Sequence, residues 1–255
     1  MSAALLELTE VSKHFGGLRA VDGVSFAIQP REILGLIGPN GAGKTVCFNL
    51  ICGVYKPTAG QVLFDGRRTD GLSPNQVAEL GIGRTFQIVK PFAALTVLEN
   101  VLAARGIGRY RSYSKIWSSW KTAGDRGEAF KILEQVGLAD LADRRSGLLP
   151  LGNLRRLEIA RALAVGRKLI LLDESFSGLR HEEIAQLEVL IRTIRDAGRT
   201  VLLIEHNMRV AMGLCDRLVV LEHGRKLTEG RPEEVRRNAS VIEAYLGRKG
   251  NADAA

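Results

Sequence analysis

Cysteine is scarce in this chain, with three copies at Cys47, Cys52 and Cys215. An odd count with no Cys-x-x-Cys spacing excludes a disulfide framework and a zinc site. Cys47 and Cys52 fall in an apolar helical stretch and read as small core residues. Long apolar runs are missing too: none approaches the ~18 residues that a spanning helix needs. The opening MSAALLELTEVSK has an acid at Glu7 and no basic start, so it does not read as a secretory signal. Internal repeats and low-complexity tracts are also absent. These absences predict a soluble, cytoplasmic chain.

What is present is ordinary in bulk. The 255 residues are 45% hydrophobic and 25% charged, enough for one large domain or a core with a subdomain. The net charge of +8 favours phosphates, an anionic membrane surface or nucleic acid as partners. It is equally compatible with a merely basic surface.

Short β-branched or Leu-rich runs predict strands at 24–28, 32–38, 61–66, 168–173, 200–206 and 217–224. Several are apolar throughout, as strands buried on both faces are. Helical stretches lie at 44–53, 74–80, 126–136, 153–165, 181–196 and 207–215. Alternating strands and helices predict an α/β fold with a mostly parallel sheet. The early strands, with turn signals at 16–17, 22–23 and 65–66, predict a separate antiparallel piece. From about 88 to 150 the chain reads as helices without a convincing strand. Within it, GIGRYRSYSKIWSSWKTAGDRG (106–127) mixes basic and aromatic residues. That stretch suits a solvated linker, a headgroup zone, a protein partner or single-stranded nucleic acid.

One motif has specific chemistry. GPNGAGKT (38–45) fits G-x-x-x-x-G-K-[ST], with a strand before it and a helix after it. Its glycines let backbone N–H groups turn inward around phosphates, and the helix start adds positive charge. Gly38, Pro39, Asn40, Gly41, Ala42, Gly43, Lys44, Thr45 and Val46 form the expected nucleotide loop. Lys44 reaches the β- and γ-phosphates, and Thr45 ligates Mg²⁺. Such a site needs an acid at the end of a buried strand, and LILLDE (169–174) supplies one. Asp173 is expected to hold Mg²⁺, and Glu174 to act as general base on the attacking water. His206 ends the next strand, on the sheet edge where α/β folds bind ligands. It is a candidate donor to a γ-phosphate. Gln87, in GRTFQ, is a candidate sensor of metal and γ-phosphate. Phe15, in KHFGG, is a candidate for stacking on adenine.

In order, KHFGG, GPNGAGKT, TFQ, LPLGNLRRLEIARAL, LILLDE, SGLR and LIEH resemble the ATP-binding cassette (ABC) ATPases over nearly the whole chain. The resemblance implies a RecA-like P-loop core with an antiparallel β subdomain (1–87 and 156–255) and an inserted helical signature subdomain (88–155). It implies ATP and Mg²⁺ as ligands, and a second cassette packed head to tail. GIGRTFQ with LTVLENVL, the helix RRLEIARALA and the ending VIEAYLG look like the cassettes of branched-chain amino-acid importers. That likeness implies membrane permease subunits, a periplasmic or extracellular solute-binding protein, and a place on the cytoplasmic face of a bacterial inner membrane. No nucleic-acid partner is expected.

LPLGN (149–153) stands where the family has its signature, usually LSGGQ. In the family that helix start grips the γ-phosphate held by the opposite chain. Pro150 replaces the serine and has neither hydroxyl nor N–H. Leu151, Gly152 and Asn153 are left as the candidate donors. SFSGLR (175–180) also departs from the family pattern at Ser175 and Arg180. These departures keep a regulatory, non-transport ATPase open as the alternative reading.

Overall fold

The computed structural model describes residues 3–85, 90–106 and 123–246. In chain order the strands and helices are β1 (Leu6–Phe15), β2 (Leu18–Ile28), β3 (Ile33–Ile37), α1 (Lys44–Ile51), β4 (Ala59–Phe64), β5 (Arg67–Arg68), α2 (Pro74–Glu79), β6 (Ile82–Arg84), α3 (Val97–Arg105), α4 (Ala123–Gln135), α5 (Leu151–Val165), β7 (Leu169–Asp173), α6 (His181–Asp196), β8 (Thr200–Ile204), α7 (Met208–Leu214), β9 (Arg217–Glu222), β10 (Arg225–Gly230), α8 (Pro232–Arg237) and α9 (Ala239–Leu246). This is the expected α/β architecture, divided into two compact units: residues 1–74 with 200–255, and residues 75–199.

The first unit has two layers of strands. One is antiparallel, in the order β2-β1-β4-β5. In the other, β3 pairs parallel with both β8 and β9, and β10 returns antiparallel along β9. All five residues of β3 and of β8 are buried, which is why both read as continuous apolar runs. Arg217, at the start of β9, joins the layers. Its Nε donates to Glu32 Oε1 at 2.8 Å, and its other nitrogens reach Glu229 and the Ala27 carbonyl. Arg225 on β10 likewise donates to Asp22 on β2 at 2.7 Å and holds that carboxyl below the usual range. At the predicted 65–66 turn, Asp65 and Gly66 both take positive φ and close the tight β4–β5 hairpin. The Asp22–Gly23 pair, by contrast, is not a turn. It lies inside β2, where Gly23 N–H donates to Ser12 Oγ at 2.9 Å beside an irregularity in the ladder.

In the second unit β6 pairs parallel with β7, and α3 packs on α4 and α5. α3 opens with a capping box: Glu99 N–H donates to Thr96 Oγ1, and Thr96 N–H to Glu99 Oε2. One turn in, Asn100 is fully buried and works as a polar hub. Its Oδ1 accepts from Phe92 N–H at 2.9 Å, and its Nδ2 donates to the Thr96 carbonyl at 2.9 Å and to Ser146 Oγ at 3.1 Å, with the Phe92 carbonyl also 3.2 Å away. Ser146 Oγ in turn donates to the Phe92 carbonyl. Two stretches far apart in sequence are thereby tied to one helix. The stretch 107–122, with most of the basic aromatic segment, lies outside the described residues, as does the tail after 246.

Asn100→Ala should lower stability by about 2–4 kcal/mol, because several buried polar groups lose their partner at once. A urea midpoint equal to that of the unmodified chain would show that the hub is not needed to hold these segments.

Candidate phosphate and cation sites

The chain leaves β3 at Gly38 and enters α1 at Lys44, wrapping the loop around a point just past the strand end. Gly43 has φ 99°, and a Cβ there would lie 2.5 Å from the Ala20 carbonyl oxygen. Gly38 is as restricted: a Cβ would come within 2.1 Å of the Leu221 carbonyl oxygen. Lys44 is buried and folds back over the loop, its Nζ donating to the carbonyls of Gly38 (2.6 Å) and Pro39 (2.9 Å). α1 has Gly43 as its N-cap, with no side-chain cap and no acid in its first turn. Its leading N–H groups are therefore offered to an anion. Thr45 stands exposed beside them.

Outside the loop, the β9–β10 turn braces it. Gly224 N–H donates to the Ala42 carbonyl at 3.2 Å, and Asp22 N–H to the Gly224 carbonyl. Tyr245 on α9 turns its hydroxyl into the protein towards the Gly38 backbone, and burial pushes that hydroxyl up to about 12. Between loop and C-terminal helix runs a cleft of about 500 Å³, lined by Asn40, Gly41, His223, Ser240 and Glu243 among others. His206 follows β8, whose Ile204 pairs with Leu36 of β3, so it stands exposed near the strand end that carries the loop. Asn207 behind it caps α7 by accepting from Arg209 N–H. Phe15 is exposed, with Tyr55 edge-on at 5.2 Å and Lys13 Nζ 5.2 Å from its ring centre.

In the second unit, β7 ends in Asp173, which is buried, followed by Glu174. Asp173 N–H donates to Thr85 Oγ1 at 3.1 Å, and Arg84 donates to Asp173 Oδ2 at 2.9 Å. Glu174 has φ 48°, a left-handed conformation that a non-glycine residue rarely adopts. Its carbonyl accepts from Ser177 N–H.

Residues 21–177 match the family described as ABC transporter. The chain belongs to that family. A second match, to the C-terminal segment of branched-chain amino acid ATP-binding cassette transporters, covers residues 225–250. The chain is 41% identical to the high-affinity branched-chain amino acid transport ATP-binding protein LivG of Escherichia coli K12, over 97% of this chain and 99% of that protein. An ATP-binding cassette of an ABC transporter solved in its ADP conformation superposes with a TM-score of 0.87 at 33% identity, covering 96% of this chain and all of that one. A dimeric cassette in a post-hydrolysis state, bound to ADP and Pi, gives 0.75 at 27%, over 89% and 98%.

As an ABC ATPase the chain has residues that fit its nucleotide. The phosphate loop has the glycines, the amide donors and the lysine, and Asp173 is a buried carboxylate with a cationic partner in Arg84. The signature helix differs from the sequence reading by two residues. α5 begins at Leu151, not at 153, and Pro150 is its N-cap with no side-chain cap. Leu151, Gly152 and Asn153 are thus the first three helical residues, whose N–H groups have no partner inside the helix. A Cβ on Gly152 would come within 2.5 Å of Glu183 Oε1, so a larger residue there would have to move that carboxylate. Gln87 lies outside the described residues.

Three contributors escaped the sequence reading. Arg84 and Glu183 gave no signal, since a lone charge next to a motif reads as surface. Tyr245 was visible only as part of VIEAYLG.

Gly43→Ala should abolish binding of a fluorescent ATP analogue while leaving the circular dichroism of the fold in place. Binding that survived would mean that the loop has room the geometry denies it.

Proposed function

We propose that this chain is the ATP-hydrolysing subunit of an importer for branched-chain amino acids or related small solutes. The end-to-end likeness to a transport protein of that class supports the reading, including the C-terminal segment that follows the cassette. Lys44 and the loop amides neutralise the phosphates. Phe15 stacks on the adenine, with Tyr55 holding its ring on edge. Thr45, Gln87 and Asp173 would hold Mg²⁺, which would supply charge neutralisation to the phosphates. Glu174 takes a proton from the attacking water, and His206 donates to the γ-phosphate.

Two cassettes, this chain and a second one, close head to tail on ATP. The start of α5 then serves the partner's nucleotide through the N–H groups of Leu151, Gly152 and Asn153. Membrane permeases receive the motion on the cytoplasmic face of the cell membrane, and a solute-binding protein delivers the cargo from the other side. Among the described residues, no helix is long and apolar enough to cross a membrane. Permease contact falls at Phe92. This ring is half exposed, yet Asn100 fixes its backbone and the Arg161 guanidinium lies 4.9 Å from its centre.

In the assembled transporter, Glu174→Gln should retain ATP binding and lose turnover by ~10²–10⁴-fold, whereas Lys44→Ala should lose binding itself. Unchanged ATP turnover and solute uptake with Glu174→Gln would remove the general base from this reading. A cysteine placed at Phe92 should crosslink to a permease; crosslinks to another cassette alone would place the docking surface elsewhere.

A further inference from the structure

Asp173 and Arg84 form an ion pair with little access to water: their side chains are 5% and 13% exposed. A buried carboxylate without a counter-charge is strongly unfavourable. The partner here comes from β6, the three-residue strand beside β7. In the parallel register Arg84 stands opposite Leu171, so Asp173, two residues on, projects to the same face. Thr85 N–H donates to the Leu171 carbonyl at 2.9 Å, Asp173 N–H donates to Thr85 Oγ1, and Thr85 Oγ1 lies 3.2 Å from Ser175 Oγ. Thr85 and Ser175 are both buried. The end of β7 is therefore pinned.

We propose that Arg84 is the resident counter-cation of Asp173 and that it makes metal entry depend on nucleotide. The inference rests on the reading that Asp173 is the metal-binding acid. With Arg84 in place the carboxylate is already neutralised. A free divalent cation then meets an acid whose charge is already offset, next to a guanidinium that repels it. A cation arriving with a polyphosphate brings its own negative charge, which takes up both the metal and the displaced guanidinium. Arg84 is thus a positioning residue: it keeps the acid paired and oriented between turnovers, and it discourages occupation by metal alone.

The test measures Mn²⁺ binding by electron paramagnetic resonance, with and without ADP, on the full chain. Arg84→Gln removes the charge and keeps a polar side chain. Without nucleotide it should bind Mn²⁺ at least about tenfold more tightly than the unmodified chain, the scale set by losing a like charge beside a site. Mn²⁺ alone should also raise the melting temperature of Arg84→Gln more than that of the unmodified chain. Arg84→Lys should restore weak metal-only binding. Equal nucleotide-free affinity in Arg84→Gln and the unmodified chain would overturn the proposal. Should Arg84→Gln fail to fold, the unmodified chain still decides. Its Arg84 side-chain ¹⁵N resonance, identified by its loss in Arg84→Lys, should shift on adding Mg²⁺ with ADP and stay in place with Mg²⁺ alone. A resonance indifferent to both additions counts against the proposal. The underlying reading fails separately: Asp173→Asn would then bind Mn²⁺ with ADP as tightly as the unmodified chain does.

Discussion

Backbone N–H groups bind an anion together only if they converge, and convergence forces the chain into conformations that side chains do not follow. That constraint shapes the first unit. Gly38 and Gly43 sit where a Cβ would strike the Leu221 and Ala20 carbonyls. The loop has to start from a fixed point, so β3 is buried along its whole length and paired in parallel on both sides. It also has to be stopped from relaxing outward, and the Gly224 turn and Tyr245 stand behind it. The C-terminal segment therefore contributes to the wall of the phosphate loop from the far end of the sequence.

Helix starts divide into two kinds. α3 and α7 satisfy their own leading N–H groups, through Thr96 and Asn207. α1 and α5 do not: their N-caps are Gly43 and Pro150, which have no side-chain oxygen to offer. A helix start with no side-chain cap is less stable, by only a few tenths of a kcal/mol where glycine stands there, and its donors remain available. On this view Pro150 is less of a loss than the missing serine implies. It fixes φ ahead of the helix, needs no partner for an N–H it lacks, and leaves the three following amides in place.

Legibility in the sequence followed burial. β3, β7 and β8 are apolar throughout because both faces are covered, and all three were readable. β1 was not. Its LELTEVSKHF begins in alternation, but the register slips between Leu8 and Val11, where Glu10 takes positive φ, and the pattern changes phase. β6 is three residues long, and β10 reads as charged loop because it runs along an edge and its side chains are largely open to water. The phosphate loop was legible because its chemistry is local, set by eight consecutive residues. The Arg84–Asp173 pair was not, because it depends on which strand lies beside β7 and in what register. Nothing in GIGRTFQ states that.

The left-handed backbone at Glu174 has a consequence for how such a protein ages under mutation. Glycine, and to a lesser degree asparagine, adopt that conformation with less strain than glutamate does, by roughly 1 kcal/mol. With Glu174 as the proposed general base, replacements there would relax the turn while ending turnover. Drift without selection for hydrolysis would therefore move position 174 towards a firmer and inactive cassette. On that reading, a glutamate held at φ 48° would mark a chain kept for its chemistry and not for its stability.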